Sequence, residues 1–206
     1  MARDDERLAR SQQEILVGGL PEAPGILTAI RLTPGLGVHL RGLADELLVN
    51  DFPGTTLERA EREMLATAVS AENDCFYCMD SHGAFATALL EADGATDRIG
   101  LIDTIKIGSS EGLDPKLAAL LHIARTVRRD ALALTDEDVA AAHDAGATDA
   151  DVQLAVLIAA AFSMYNRMVD GFRAATPPVT AAYRDRAREI ASHGYSDARV
   201  TSVPQG

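Results

Sequence analysis

Apolar residues recur three and four positions apart along most of the chain, the spacing of one buried face on an α-helix. Leu36, Leu40, Leu43, Leu47 and Leu48 mark a helix over 36–49, and "NDFPGTT" stops it. In "TTLERAEREMLATAVSAEN", Leu57, Met64, Leu65, Ala68 and Val69 form the main buried face. Thr55 and Glu58 offer a capping box for this helix. Glu63 falls on its other side with Ala60, Thr67 and Ser70, small residues that would admit a second helix or subunit. Asn73-Asp74 then turns the chain, and Asp74 is the expected cap of a helix from about Cys75 to Ala92.

Further helices open at Asp114-Pro115, Thr135 and Thr148, each a capping residue before an apolar repeat. Weaker patterns predict helices over 1–16, with Leu8 and Ile15 as anchors, and over 26–32, ended by Thr33-Pro34. Pro177-Pro178 separates a last helix, "VTAAYRDRAREIASHG", and the polar tail after Gly194 is expected to be loose. No segment alternates like a strand, so the class is all-α with seven to nine helices. The divisions are a helical extension over 1–34, a helical domain over 35–192 and a flexible tail over 193–206.

Charge narrows the function. The formal balance is −12, which repels phosphate backbones and anionic lipid, so nucleic acid and membrane surfaces are excluded as partners. "MARDDERLAR" lacks the apolar stretch of a signal peptide, and no apolar run is expected to reach membrane-spanning length. The expected location is therefore cytoplasmic. There thiols stay reduced, and a close cysteine pair points to catalysis or metal binding rather than a permanent staple.

The only two cysteines lie in "AENDCFYCMDSHGAFA", with His82 four residues after Cys78. Metal binding, redox chemistry and core packing are all open to such a group. Cys75, Cys78 and His82 fall on one helical stripe, which Phe85 and Leu89 extend. The two sulfurs are close enough for a disulfide after modest rearrangement. Both lie in the first helical turn, whose unpaired N–H groups favour a thiolate. His82 stands beside Cys78, placed to exchange a proton with it.

The stretch "EREMLATAVSAENDCFYCMDSH" resembles the alkylhydroperoxidase AhpD-like group of the carboxymuconolactone decarboxylase superfamily. The shared pattern is a glutamate, eleven intervening residues, then C-x-x-C-x-x-x-H, met by Glu63, Cys75, Cys78 and His82. The later stretch from Asp114 to Phe172 is similar to a longer, peroxidase-related branch. The resemblance spans 36–183 and implies an AhpD-like helical bundle over 35–192. It implies an antioxidant oxidoreductase, a thiol-dependent hydroperoxide reductase with no bound cofactor or metal. By that analogy Cys78 attacks the peroxide, Cys75 closes a redox-active disulfide, and Glu63 and His82 relay the proton. The implied partners are a hydroperoxide substrate, a lipoylated or thioredoxin-like dithiol donor, and further copies of the chain in a trimer or hexamer. One position departs: the family histidine before the second cysteine is here Tyr77, a poor base at neutral pH. The superfamily's decarboxylases lack the cysteine pair, which disfavours decarboxylation.

The alternative is a non-catalytic metal-binding or redox-sensing helical module, with Cys75, Cys78, His82 and Glu63 as ligands. "FSMYNRMVDGF" places Asn166, Arg167 and Asp170 in an otherwise apolar helix. They read as a pocket wall, an interface network, or an Arg167–Asp170 pair at the helix end. His39, His122, His143 and His193 stand apart from any motif and are expected to be structural or exposed.

Overall fold

The structure is a computed structural model that describes residues 2–12, 14–178 and 180–197. Among the described residues the chain forms ten α-helices and no strand. They are α1 (Ala2–Ser11), α2 (Ile26–Leu32), α3 (Pro34–Leu48), α4 (Arg59–Glu72), α5 (Phe76–Ala92), α6 (Gly100–Lys106), α7 (Pro115–Arg129), α8 (Asp136–Asp144), α9 (Asp149–Gly171) and α10 (Arg184–Asp197). The expected helix over 1–16 ends at Ser11, and Met1 and Gln13 lie outside the described residues.

Helices α4, α5, α7 and α9 pack as the centre of the bundle. Met64 and Leu65 of α4 meet Leu90 of α5, Leu117 and Leu121 of α7, and Leu154, Ile158 and Phe162 of α9 in one buried cluster. Each such side chain contributes roughly 1.5–3 kcal/mol by leaving water. Helix α9 is long and apolar enough to cross a membrane by length and composition, contrary to expectation. One face of it lies in the core, where Leu154, Ala155, Ile158 and Ala159 are fully buried.

Several helix starts follow from local chemistry. Thr33 accepts from the Leu36 N–H with Pro34 in the first turn of α3, and Asp114 does the same for α7 through Lys116. Thr135 with Asp138, and Thr148 with Asp151, form the capping boxes of α8 and α9. Two expected caps are corrected. Helix α4 starts later than read, capped by Glu58, whose N–H donates to Glu61 at 3.0 Å. Thr55 instead donates its hydroxyl to Asp151 at 2.6 Å. Asp74 does not cap α5; the cap position belongs to Cys75.

Asp151 joins the loop before α4 to the start of α9. It also accepts from the Thr56 N–H at 2.7 Å, the Thr56 hydroxyl at 2.8 Å and the Thr148 N–H at 2.9 Å. Burial alone would push this carboxyl up, but those donors outweigh it and hold it well below the usual carboxylate range. Because the folded state holds its pKa below the unfolded one, the carboxylate stabilises the protein above about pH 4, and that contribution fades as pH falls further. Asp151→Asn is expected to cost about 3 kcal/mol at pH 7 and distinctly less at pH 3. Urea unfolding of both proteins at the two pH values checks this.

Candidate active site

A single turn between α4 and α5 presents the cysteines. Helix α4 ends with the Asp74 N–H on the Ala71 carbonyl at 3.3 Å and the Cys75 N–H on the Ser70 carbonyl at 3.0 Å. This is a Schellman ending, with Asp74 rather than glycine in the left-handed conformation (φ 54°). Neighbours hold the turn in place. The Asn73 amide donates to Asn166 at 2.9 Å, and Asn166 donates to Ser70 at 3.0 Å. Arg128 donates to the Glu72 carbonyl at 2.9 Å. The chain thus reverses within two residues and delivers Cys75 to the cap of α5, with Cys78 one turn further in.

Both thiols are free and buried. The Cys75 thiol is pushed far up, first by its hydrogen bond to Cys78, then by burial. It therefore stays protonated. The first-turn N–H groups do not override this for Cys75. The Cys75 thiol also hydrogen-bonds Asp170. Arg10 of α1 reaches Asp170 at 3.4 Å and lies over the Phe76 ring at 5.4 Å. Asp170 thus pairs with Arg10, while Arg167 donates back to the Ser163 carbonyl; the sequence alternative of an Arg167–Asp170 pair is not the arrangement found.

Glu63 has no exposed surface. It faces α5 and α10, so its side of α4 is covered within the chain. His82 Nδ1 donates to Glu63 Oε2 at 2.7 Å, and the Tyr195 hydroxyl donates to Oε1 at 2.6 Å. A carboxylate sealed from water needs such partners, since an unpaired buried charge costs several kcal/mol. The Glu63 bond turns the other imidazole nitrogen, Nε2, away from the carboxylate. His82 is wedged edge-on against Phe162 and Phe85, with ring centroids 4.6 and 5.1 Å away.

Tyr195 was not foreseen, because it lies in the stretch expected to be loose. Three features bring it in. Gly194 breaks α10 with φ 74°, and a Cβ there would press on Asp45 Oδ1. Asp45 accepts the N–H groups of Tyr195 at 2.6 Å and Ser196 at 2.9 Å. Arg59 of α4 donates to the carbonyls of Ala191 at 2.9 Å and Ile190 at 3.2 Å. The only sequence sign was a glycine followed directly by an aromatic residue at the end of a helical pattern. The remainder of the tail, 198–206, lies outside the described residues. Tyr195→Phe keeps the ring against His82 and Phe85 but leaves Glu63 Oε1 unpaired. It is expected to cost about 1–2 kcal/mol and to slow turnover about tenfold, as urea unfolding and steady-state kinetics would show.

A cavity of about 70 Å³ opens beside this constellation. Cys78, His82, Tyr77 and Tyr195 line it, with Ile26, Leu40 and Phe162 among its apolar walls. Cys75 is not part of its wall. Tyr77 packs edge-on against Tyr183 at 5.5 Å and lies flat over Gly25, where any Cβ would strike the ring. Burial pushes its phenol upward, so Tyr77 is a wall of the cavity and no base. The structure therefore brings Glu63, Cys75, Cys78 and His82 together. No group of three or more histidine, cysteine or acidic side chains converges on a metal-sized point among the described residues. Of the remaining histidines, His122 pairs with Asp138 at 2.9 Å and His143 with Asp149 at 3.0 Å, while His39 and His193 are exposed.

An all-helical bundle that holds a C-x-x-C turn against a buried Glu–His pair defines a class of protein. Residues 42–102 match the Carboxymuconolactone decarboxylase family. The matched stretch holds Glu63, Cys75, Cys78 and His82. No curated protein matches the chain. Among solved structures it is similar to an uncharacterized peroxidase-related protein from Silicibacter sp. TM1040, with TM-score 0.65 and 24% identity over 80% of this chain and 81% of that one. It is also similar to an alkylhydroperoxidase AhpD core, an uncharacterized peroxidase-related protein from Ralstonia eutropha JMP134. There the TM-score is 0.65 and the identity 23%, over 91% of this chain and 90% of that one. At these identities the likeness is one of fold.

Proposed function

We propose that the protein is a thiol-dependent hydroperoxide reductase in which Cys78 is the attacking sulfur. The observation that carries this reading is the asymmetry of the pair: Cys78 lines the cavity beside His82, while Cys75 is not part of its wall. His82, oriented by Glu63, takes the Cys78 proton. The thiolate attacks the distal peroxide oxygen, the O–O bond breaks, and Cys78 becomes a sulfenic acid. The departing alkoxide recovers the proton from His82 and leaves as an alcohol. Cys75 then attacks the sulfenic sulfur, forming the disulfide and releasing water. The thiol proton of Cys75 leaves toward the hydroxyl being expelled, with Asp170 holding that side of the sulfur.

A dithiol carried by a lipoylated or thioredoxin-like protein closes the cycle, reducing the disulfide as its own pair is oxidised. The working form is a homo-oligomer, a trimer or hexamer, and the site of action is the cytoplasm. The exposed apolar residues Leu157 and Met164 on α9 support an assembled form. Mass spectrometry of the reduced protein after one equivalent of cumene hydroperoxide tests the reading. It predicts loss of two hydrogens, located to a Cys75–Cys78 disulfide. Two alkylatable thiols remaining after several minutes would refute it.

A further inference from the structure

The cavity beside Cys78 is unusual for a chain with 31 acidic and 19 basic residues. Its walls include two arginines, Arg41 of α3 and Arg186 of α10, and no aspartate or glutamate. Arg186 pairs with Glu189, outside the cavity, at 3.5 Å. Arg41 has no such carboxylate: its Nε is buried without a hydrogen-bond partner among the described residues. Burial, then the positive charges of Arg186 and Arg31, hold the Arg41 guanidinium below its usual range. A cation kept half out of water, beside another cation and without an anion, is costly unless a ligand supplies the anion. Apart from Ser81, His82 and the tyrosines, the rest of the wall is apolar, with Ile26, Leu40 and Phe162 among its residues.

We infer that the cavity takes an amphiphilic anion, a hydroperoxide whose short carbon chain ends in a carboxylate. The carboxylate lies on Arg41 and Arg186, the chain lies along the apolar wall, and the peroxide group reaches Cys78. A planar carboxylate matches the guanidinium fork, and its charge-assisted bonds would satisfy the buried Nε. This substrate class rests on the peroxidase reading, but occupancy by the anion does not depend on turnover, so the two are tested separately.

The test is calorimetric titration of the reduced full-length protein with hexanoate and, as the neutral counterpart, hexanol. Hexanoate is expected to bind about tenfold or more tightly than hexanol, because each charge-assisted bond outweighs a neutral one. Arg41→Gln should remove most of that preference and Arg41→Lys should retain part of it, with unchanged circular dichroism showing that both variants fold. Equal affinity for the two probes, a preference that survives Arg41→Gln, or no saturable binding of hexanoate would each overturn the inference. In a second arm, a carboxylate-bearing hydroperoxide is compared with its methyl ester. The acid should show a KM about tenfold lower, lost in Arg41→Gln. If neither is reduced while hexanoate binds through Arg41, the peroxidase reading fails and the anion site stands.

Discussion

Cys78→Ser protein is expected to reduce no hydroperoxide, with kcat/KM down by roughly 10⁴-fold or more, the scale seen when an enzyme's nucleophile is removed. A serine hydroxyl has no accessible anion near neutral pH and no low-lying route to an oxidised form. The neighbouring Cys75 cannot take over. It lies outside the cavity wall, and its thiol is held protonated by Cys78 and by burial. Serine at 78 would remove the first of these restraints but not the second, so slow stoichiometric oxidation of Cys75 is the most that should remain. The protein should fold normally, because a serine fits where the Cys78 side chain sits and the adjacent Ser81 hydroxyl already bonds the residue's carbonyl at 3.2 Å.

The second large effect is expected from Glu63→Gln. Turnover should fall about 10²- to 10³-fold, the usual range for losing general acid–base assistance. Glutamine has the same shape and still accepts the His82 N–H through its carbonyl oxygen. What it lacks is the charge that stabilises His82 as it takes the Cys78 proton. The substitution also removes a fully buried carboxylate, so stability should hold or rise slightly. The readout that separates chemistry from structure is kcat against KM. The loss should lie in kcat, and Glu63→Gln/His82→Asn should be little worse than either single change, as for residues that act as one unit. Fully additive losses would place Glu63 and His82 in separate roles.

Most of the helical architecture was legible because it rests on local signals. Thr33-Pro34, Asp114-Pro115, Thr135 and Thr148 each cap a helix where the sequence put one. The two misread caps failed for tertiary reasons. Thr55 is drawn to Asp151, 96 residues away, which no local pattern reveals. Asp74 adopts a left-handed turn because Asn166 and Arg128 fix the residue before it. The C-x-x-C and His82 share a helix face by spacing alone, so their meeting was readable. Glu63 was not singled out by its helix face; only the family pattern pointed to it. Its burial depends on Tyr195, whose approach is set by Gly194, Asp45 and Arg59 on three different helices. The unequal character of the two cysteines also lay beyond the sequence, since it arises from which sulfur faces the cavity.

The measurement that bears most directly on that inequality uses Cys75→Ser, in which no disulfide can form. The reduced variant receives one equivalent of hydroperoxide in the presence of dimedone, and the adduct is located by peptide mass spectrometry. The account predicts a single adduct, on Cys78. A Cys78 that stays an unmodified thiol while the hydroperoxide persists would contradict it, as would a dimedone adduct formed equally fast on Cys75 in Cys78→Ser protein.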